Sequence, residues 1–414
     1  MRYFNYLTQA EEERIFHSSP APFSNCSNRE VLSHAIGAAL YMPATRINIA
    51  DDLISGKHLG LVSVVMDLED AVGDYQVEFA EDNLSQQIQR LAGLIRAEGI
   101  GADDLPLIFI RIRTPNQMEK IIHLLEPFLD LVTGFAIPKF NVEAGSEYFD
   151  IICSYNERKP SHFPTLYAMP ILETAEVIFS ESRFLTLYRI KELLSKYREL
   201  ILNVRIGATD FSSLFGLRRG PDMTVYDIGV IRDCITDIVN IFGRADEQYV
   251  ISGPVWEYFE NGLGLKPHLQ VAAFEAAASK ETDGVPVKHA HMDDMFNKYM
   301  QGLFREVLLD KANGMIGKTV IHPTHILPVQ SLYVVTYEEY IDAINIVKGS
   351  GEMVGVVKSQ YANKMNEIKP HLNWANRILK RAKVYGVLNE NENYTSILLG
   401  HESSQRETSV LSYS

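Results

Sequence analysis

The sequence has 414 residues, of which 46% are hydrophobic and 22% charged, and its formal net charge is −14. This composition is ordinary for a globule with a sizeable core, and the length suits one α/β barrel with additions. The acidic balance argues against nucleic acid or an anionic membrane as the main partner, since both attract clustered Lys and Arg. The three cysteines, Cys26, Cys153 and Cys234, lack CxxC spacing, which argues against a disulfide framework and a zinc ribbon.

No targeting or membrane-spanning segment is evident from the amino-acid pattern. The first residues lack the apolar core of a secretory signal. No stretch reaches the roughly 20 apolar residues of a spanning helix. We therefore expect a soluble, cytoplasmic protein with neither nucleic-acid nor membrane partners.

Strand-like and helix-like segments alternate along most of the chain. Residues 1–36 lack a strong period and are predicted to form an arm before the core. A β-branched run over 62–68 ends abruptly in three carboxylates. The apolar spacing over 78–98 then predicts an amphipathic helix.

The stretch 107–113 combines a strand pattern with two arginines. Phe109, Arg111 and Arg113 share one face of the predicted strand, because successive side chains point to opposite faces. An arginine is rarely buried without a partner, so this face must meet anionic groups. Thr114 then supplies a helix N-cap, followed by a proline at the first helical position.

Eight strands are predicted in all. They cover 38–42, 62–68, 107–113, 132–138, 166–172, 203–208, 249–253 and 318–321. Their alternation with helices favours a parallel sheet with helices outside, and eight units favour closure into a (β/α)₈ TIM barrel. An open doubly wound sheet is disfavoured, because no Gly-rich dinucleotide turn follows an early strand.

Segments outside the repeating units define the predicted domain organisation. The barrel domain is expected over 37–335, with an insertion at about 262–294 after the seventh strand, on the catalytic side. A capping box at Thr336 and helical spacing predict additional C-terminal helices over 336–387. The Ser- and Asn-rich end, 388–414, is expected to be a flexible tail.

Polar residues follow most of the predicted strands. In a TIM barrel these positions converge on the rim that holds the active site. In chain order they are Arg46, Asp67, Glu69, Asp70, Arg111, Arg113, Lys139, Glu173, Asp210 and His322. Two carboxylates from neighbouring strands, with few His or Cys nearby, suit a hard cation such as Mg²⁺, and Arg111 beside it would clamp a carboxylate.

Seven spaced motifs make the sequence similar to a known family. The motifs are Tyr41-Met-Pro-Ala-Thr-Arg46, Met66-Asp-Leu-Glu-Asp-Ala-Val72, Ile110-Arg-Ile112, Ile137-Pro-Lys139, Ile171-Leu-Glu-Thr-Ala175, Gly207-Ala-Thr-Asp210 and Ile321-His-Pro323. In this order they resemble the citrate lyase beta-subunit branch of the HpcH/HpaI aldolase family, which also holds malyl-CoA lyases. The arm, the insertion and the C-terminal helices resemble more particularly the TIM-barrel carbon–carbon bond lyases associated with tellurium-resistance gene clusters.

The resemblance implies a TIM-barrel lyase, often trimeric or hexameric. It implies that Glu173 and Asp210 hold Mg²⁺, with Mn²⁺ as an alternative ion. Mg²⁺ would act as a Lewis acid in the reversible carbon–carbon cleavage of a small 3-hydroxy acid or thioester through a stabilised enolate. The partner is then a small carboxylate or acyl-thioester substrate.

The resemblance also assigns roles to the other rim residues. Arg111 would bind the 2-oxo acid or its enolate, and Arg46 would help at the acyl or carboxylate end. Glu69 and Asp70 would orient the arginines and the metal-bound water. These four residues form the predicted catalytic set.

The predicted substrate-binding set joins three more residues to Arg111. They are Arg113, Lys139 and His322. Arg113 stands where relatives usually carry Asn, and the insertion lies on the acyl-carrier side, so a CoA thioester and another substrate form both stay open. Each residue also has a structural alternative. Arg113 could neutralise Asp67 or Glu69, Lys139 could be an electrostatic partner rather than a Schiff-base nucleophile, and His322 could fix the turn after the last strand.

Other motifs have two interpretations each. Glu173 and Asp210 could be structural acids that pair with basic residues of the rim. His289-Ala-His291, with nearby Asp293 and Asp294, fits either a second metal site or a solvated loop. Arg218-Arg219-Gly220 fits either a phosphate contact or a solvated basic loop.

Three functional hypotheses follow from these patterns. The leading one is a Mg²⁺-dependent carbon–carbon lyase. A second keeps the site but makes the reaction a thioester condensation or hydrolysis, which product analysis would separate from cleavage. A third is a non-catalytic ligand-binding barrel in a multiprotein pathway, which enolate formation from a bound oxo acid would contradict.

Overall fold

The computed structural model describes residues 1–101, 104–259, 291–351, 356–360 and 364–400, with the backbone alone for 291–297 and 357–358. Its centre is an eight-stranded parallel barrel, as the alternating sequence pattern predicts. Among the described residues, none of the helices has both the length and the apolar character needed to cross a bilayer.

The described residues contain twelve strands. In chain order these are β1 (Phe16–Ser18), β2 (Ala38–Pro43), β3 (Ser63–Asp67), β4 (Leu107–Arg111), β5 (Val132–Ile137), β6 (Tyr167–Leu172), β7 (Val204–Ile206), β8 (Ile251–Ser252), β9 (Lys318–Val320), β10 (Val356–Lys358), β11 (Met365–Glu367) and β12 (Val387–Leu388). Strands β2 to β9 form one sheet in the order β8-β7-β6-β5-β4-β3-β2-β9. A parallel bridge between Gly253 and Lys318 joins the two ends, which closes the barrel.

The eight predicted strands correspond one to one to β2 through β9, so the predicted (β/α)₈ fold is confirmed. The strands are buried on both faces, which is why their sequences are nearly continuous apolar runs. The observed strands are mostly shorter than predicted, and β4 ends at Arg111 rather than at residue 113. Apolar residues at strand ends continue into buried turns, so hydrophobicity alone does not mark where the ladder stops.

The major helices follow the strands on the outside of the barrel. In chain order they are α1 (Gln9–Ile15), α2 (Arg29–Ala35), α3 (Ile49–Ile54), α4 (Val77–Glu98), α5 (Pro115–Leu125), α6 (Val142–Arg158), α7 (Ala175–Ile178), α8 (Arg183–Lys196), α9 (Ala208–Leu214), α10 (Gly229–Phe242), α11 (His291–Ala312), α12 (Ile326–Ser331), α13 (Tyr337–Gly349) and α14 (Ile368–Tyr385). Both predicted N-caps are present: the hydroxyls of Thr114 and Thr336 accept the backbone N–H groups of Gln117 and Glu339. The cap residues therefore place these two helix starts correctly.

The C-terminal segment contains the predicted helices and one element that the pattern did not predict. Helix α14 begins at Ile368, and the short antiparallel pair β10–β11 precedes it within the span 336–387 that was predicted to be helical. Helices α13 and α14 pack on each other through an apolar cluster that includes Ile346, Ile368 and Ile378.

The two ends of the described chain pack together against the barrel. Strand β1 pairs antiparallel with β12, and the buried Tyr3 hydroxyl donates to the Ala35 carbonyl. Ile397 and Leu398 are also buried, so residues 389–400 differ from the flexible tail that the polar composition suggests. Hydrogen bonds also attach this segment, since the Asn389 N–H donates to the Ile15 carbonyl at 2.8 Å.

A buried ionic cluster attaches α11 to the outer face of β9. The Lys318 ammonium donates to Glu306 Oε1 at 2.8 Å and to Asp310 Oδ2 at 2.7 Å, and all three residues are fully buried. Met300, Leu303 and Phe304 on the same helix are core residues. Most of the predicted insertion at 262–294 lies outside the described residues.

Candidate active site

A cavity of about 420 Å³ opens at the carboxyl ends of the barrel strands. Parallel strands all end on this side, so residues that are far apart in sequence meet there. Six of the predicted site residues line the cavity or contact its lining, namely Glu69, Asp70, Arg111, Lys139, Glu173 and Asp210. Tyr41, Asp67, Glu257 and Thr319 also line it.

Arg111 is held by three carboxylates of the chain. Its Nε and Nη2 atoms donate to the two Asp67 oxygens at 2.7 and 2.6 Å, which is a bidentate pair across neighbouring strands. Its Nη1 atom lies 2.9 Å from Glu69 Oε2 and 3.2 Å from Asp70 Oδ2. Burial acts to lower the pKa of Arg111, but Asp67 raises it above its ordinary value. Arg111 is therefore a fixed cation at the cavity wall.

Lys139 is a second cation on this wall. Its ammonium pairs with Glu69 and lies 3.4 Å from Asp70 Oδ1 and 3.7 Å from Asp210 Oδ1. Burial acts to lower the pKa of Lys139, but these carboxylates raise it above its ordinary value, so the amine stays charged. A charged amine is not nucleophilic, which favours the electrostatic role over a Schiff base.

The backbone of Lys139 holds Glu173 in place. Lys139 has φ of 46°, a left-handed conformation that is uncommon for a residue with a side chain. In this conformation its N–H donates to Glu173 Oε1 at 2.8 Å. Gly207 packs against the other side of Glu173, and a Cβ at this position would overlap the carboxyl group. A lysine turn and a glycine thus form the cradle of this carboxylate.

Glu173 and Asp210 form a carboxyl pair whose surroundings favour a bound cation. Burial, with the neighbouring Asp210 charge second, raises the pKa of Glu173 to about 8. Around the cavity, the carboxyl groups of Asp67, Glu69, Asp70, Glu173 and Asp210 outnumber the cations Arg111 and Lys139. Within the described ranges, no three His, Cys, Asp or Glu side chains converge as a complete ligand set. Two carboxylates plus water suit Mg²⁺, which keeps several waters when it binds proteins.

Arg205 is a buried cation below the cavity that the sequence analysis missed. It is 1% exposed, its Nη2 donates to Thr319 Oγ1 at 2.6 Å, and its guanidinium lies 5.7 Å from the Tyr41 ring centre. Arg111 lies 5.2 Å from the same ring. Among the described residues, the Nε and Nη1 atoms of Arg205 have no hydrogen-bond partner. A charged residue in the middle of the apolar run Val204–Ile206 was the available signal.

Three predicted site residues lie outside the cavity lining. Arg46 pairs with Asp52 at 2.6 Å. Arg113 donates to the carbonyl groups of Leu68, Glu69 and Val72, with the Leu68 bond at 2.7 Å, and pairs with Asp74. His322 accepts the Thr324 N–H and stacks on Phe259 at a ring distance of 4.4 Å.

The placement of His322 matches its structural alternative, whereas the ion pair of Arg113 is with Asp74 rather than with Asp67 or Glu69. Arg113 fastens the turn that carries Glu69 and Asp70, so it acts next to the site through backbone carbonyls. His322 supports the turn after β9. Direct substrate contacts by Arg46, Arg113 and His322 stay predictions, because no ligand contact tests them.

The remaining polar motifs have other locations. Arg219 is buried and pairs with Glu257 at 3.2 Å and with Glu306, which differs from both the phosphate contact and the solvated loop predicted for it. A core ion pair was not expected because its acidic partners are distant in sequence. His289 lies outside the described residues, and the side chains of His291, Asp293 and Asp294 lie outside the described part.

Comparisons with known proteins agree with this architecture. A model of the family described as C-C bond lyase of the TIM-barrel fold matches residues 30–387. No curated protein sequence matches the chain. A citrate lyase structure from Burkholderia xenovorans LB400 has 15% identity and a TM-score of 0.54, with 87% of this chain and 95% of that chain covered. The structure of CitE from Mycobacterium tuberculosis with magnesium, acetoacetate and coenzyme A has 16% identity and a TM-score of 0.47, with 84% and 99% covered.

Proposed function

Because the chain belongs to the C-C bond lyase family of the TIM-barrel fold, we propose that it is a Mg²⁺-dependent lyase that cleaves or forms a carbon–carbon bond of a small 3-hydroxy acid or thioester. The observation that carries the proposal is the buried Glu173 carboxyl beside Asp210, at the cavity wall that also bears Arg111 and Lys139. The motif resemblance to citrate lyase beta subunits supports the same reaction class. We propose that this chain is itself catalytically active.

Glu173 and Asp210 would hold the metal ion. Bound there, Mg²⁺ would supply Lewis-acid polarisation of a substrate carbonyl. The excess of carboxyl groups around the cavity supports cation binding, since each unpaired buried carboxylate is costly without a counter-charge. Metal binding also requires Glu173 to lose its proton, so the ion and the proton compete for this site.

Arg111 and Lys139 would stabilise the negative charge that develops on the oxo-acid fragment as the bond breaks. Both cations are fixed before substrate arrives, Arg111 by Asp67 and Lys139 by Glu69. Fixed charges need no reorganisation during the reaction, which is why such groups lower barriers effectively. Asp67 is therefore a positioning residue that sets the direction of the Arg111 fork.

The substrate is proposed as a carboxylate-bearing molecule, either a free acid or an acyl thioester. The positive charges at the wall support an anionic ligand, and a cavity of about 420 Å³ admits a small acid. An oligomeric assembly, trimeric or hexameric, stays a prediction from the resemblance.

Metal titration tests the site. We expect the wild-type protein to bind Mg²⁺, and Asp210→Asn and Glu173→Gln to weaken binding at least about tenfold, since each removes one carboxylate ligand. Asp233→Asn is the matched control, because this carboxylate is exposed on α10. Calorimetric titration gives the affinities. Unchanged binding in both site variants would show that the ion binds elsewhere.

Proton exchange tests the chemistry. We expect the protein to exchange the methyl protons of pyruvate with solvent deuterium in the presence of Mg²⁺, because exchange requires an enolate. Proton NMR measures the loss of the methyl signal. Product analysis with candidate hydroxy acids and acyl-CoAs then separates cleavage from thioester hydrolysis. Mg²⁺ binding without turnover of any tested acid would favour a ligand-binding barrel instead.

A further inference from the structure

A second polar cavity lies at the opposite end of the barrel. Its volume is about 380 Å³, and its lining includes Leu202 and Val250, which precede β7 and β8 at their amino ends. Helices α2 and α14 contribute the other side of the lining. The amino ends of barrel strands usually serve stability rather than catalysis, so this cavity is separate from the proposed active site.

The cavity has an excess of basic side chains. Arg29, Arg198, Arg377 and Lys380 line it, against Glu30 and Asp246. This balance contrasts with the net charge of −14 for the whole chain. A local basic cavity in an acidic protein is a feature that favours an anionic ligand.

Two of these cations have no carboxylate partner among the described residues. Arg198 donates to the Gln248 carbonyl at 3.0 Å and lies 4.8 Å from the Tyr249 ring centre. Arg377 donates to the Gly314 carbonyl. Lys380 and Arg29, by contrast, pair with Glu30 and Glu199. Each unpaired guanidinium has five N–H donors, so most of its donor capacity is available.

Tyr249 adds a neutral donor to the same lining. The residue is 5% exposed, and its hydroxyl has no hydrogen-bond partner in the described part of the chain. A buried hydroxyl without a partner is unfavourable, and native proteins rarely leave such a group unsatisfied. Because Tyr249 lies next to Arg198 and shares the cavity lining with Arg377, the lining offers several donors to one ligand.

We propose that this cavity is a binding site for a small phosphoryl-bearing anion, held by Arg198, Arg377 and the Tyr249 hydroxyl. A phosphoryl group has three acceptor oxygens and up to two negative charges, which suits two guanidinium groups and a hydroxyl better than a two-oxygen carboxylate does. The site is independent of the proposed lyase reaction, because it shares no residue with the Glu173 cavity.

Calorimetric titration with inorganic phosphate, in low salt with EDTA to remove metal ions, tests the site. We expect one phosphate per chain in the wild-type protein, and about tenfold weaker binding in Arg198→Gln and in Tyr249→Phe. Tyr249→Phe keeps the ring that Arg198 stacks on and removes a hydroxyl that supports no other group, so this variant should fold normally. Arg244→Gln removes an exposed arginine that follows α10 and is not in the cavity lining, and it is the matched control.

Acetate and glycerol phosphate complete the experiment. We expect acetate to bind at least about tenfold more weakly than phosphate, since it offers two oxygens and one charge. Glycerol phosphate binding more tightly than phosphate would assign the site to a phosphate ester, and the reverse order to the free anion. No binding of either phosphate compound to the wild-type protein, or equal binding in wild-type and both cavity variants, would overturn the proposal.

Discussion

Lys139 contributes to the site through both its backbone N–H and its side-chain charge. Its left-handed backbone turns an N–H toward Glu173, while its ammonium reaches Glu69, Asp70 and Asp210. A strained backbone of this kind is unfavourable by about 1–3 kcal/mol and persists when the surroundings hold it. Here the hydrogen bond to a buried carboxyl and three ion pairs are the stabilising contacts.

Gly207 is the residue where a single methyl group would disturb the site. We expect Gly207→Ala to destabilise the protein by about 1–3 kcal/mol and to weaken Mg²⁺ binding, because the new Cβ would overlap Glu173. Chemical denaturation and metal titration measure the two effects. Gly93→Ala, in an open position on α4, is the control and should be neutral or stabilising. If Gly207→Ala were as stable as the wild-type protein and bound Mg²⁺ as tightly, Gly207 would not be needed to make room for the Glu173 carboxyl group.

Substitutions of Arg113 distinguish between two roles for this residue: holding the turn and contacting the substrate. We expect Arg113→Ala to slow pyruvate exchange about tenfold or more while changing Mg²⁺ affinity less than threefold, because the turn with Glu69 and Asp70 loosens. Arg113→Lys should not restore the rate, since one ammonium cannot replace donors to three carbonyls. Asp74→Asn, which removes only an exposed ion pair, is the control. If Arg113→Ala instead raised KM and Arg113→Lys restored it, direct substrate binding by Arg113 would be supported.

His34 gives the fold a specific acid sensitivity. Burial lowers the pKa of His34 to about 4, below its ordinary value of 6.5. The folded state therefore binds fewer protons than the unfolded state between these values, so stability is full above pH 6.5 and falls on the order of 3 kcal/mol as pH drops to 4. We expect His34→Gln to flatten this slope in urea unfolding curves. His162→Gln, at an exposed position, should leave the slope unchanged.

At the scale of elements, the contact between α11 and β9 is electrostatic as well as apolar. Lys318 sits on the outward face of a three-residue strand, where it meets Glu306 and Asp310 from the helix. The Tyr226 hydroxyl donates to Asp310 at 2.8 Å and adds a further element to the cluster. The cluster therefore specifies where α11 lies, which hydrophobic residues alone would specify less sharply.

Breaking this cluster tests its contribution. We expect Lys318→Met to destabilise the protein by about 3–5 kcal/mol, because it leaves two carboxylates buried without a cation. Arg305→Met is the control on the same helix, since its pair with Asp227 is exposed and should contribute less than about 1 kcal/mol. Urea denaturation measures both. Equal effects of the two substitutions would show that the buried cluster adds nothing specific.

At the scale of the whole molecule, the terminal segments belong to the same core as the barrel. Tyr3, Phe4, Leu7 and Ile15 are buried, and β1 pairs with β12. We expect removal of residues 1–18 to prevent folding, because several buried apolar side chains at about 1.5–3 kcal/mol each exceed the margin of a typical protein. Tyr3→Phe is the milder variant and should cost about 0.5–1.5 kcal/mol. A truncated protein with an unchanged thermal transition would show that the segment is a dispensable arm.

The amino-acid sequence by itself determined the barrel and the composition of its rim. Short, nearly continuous runs of apolar residues define the eight strands, and parallel strands of a closed sheet must present their following residues on one side. That geometry is enough to bring Arg111, Glu173 and Asp210 to the same cavity. It is local information, repeated along the chain, so it can be extracted without tertiary contacts.

Only the tertiary structure decided which partner each charged side chain takes. Arg111 pairs with Asp67, Arg46 pairs with Asp52, and Arg113 donates to backbone carbonyls. Arg205 lies below the cavity, and two of its nitrogen atoms have no partner within the described residues. Long side chains can reach several acceptors, and the choice depends on distances between residues far apart in sequence. The same reason explains the second cavity, whose basic lining comes from segments that are separated by more than a hundred residues and meet only in the folded chain.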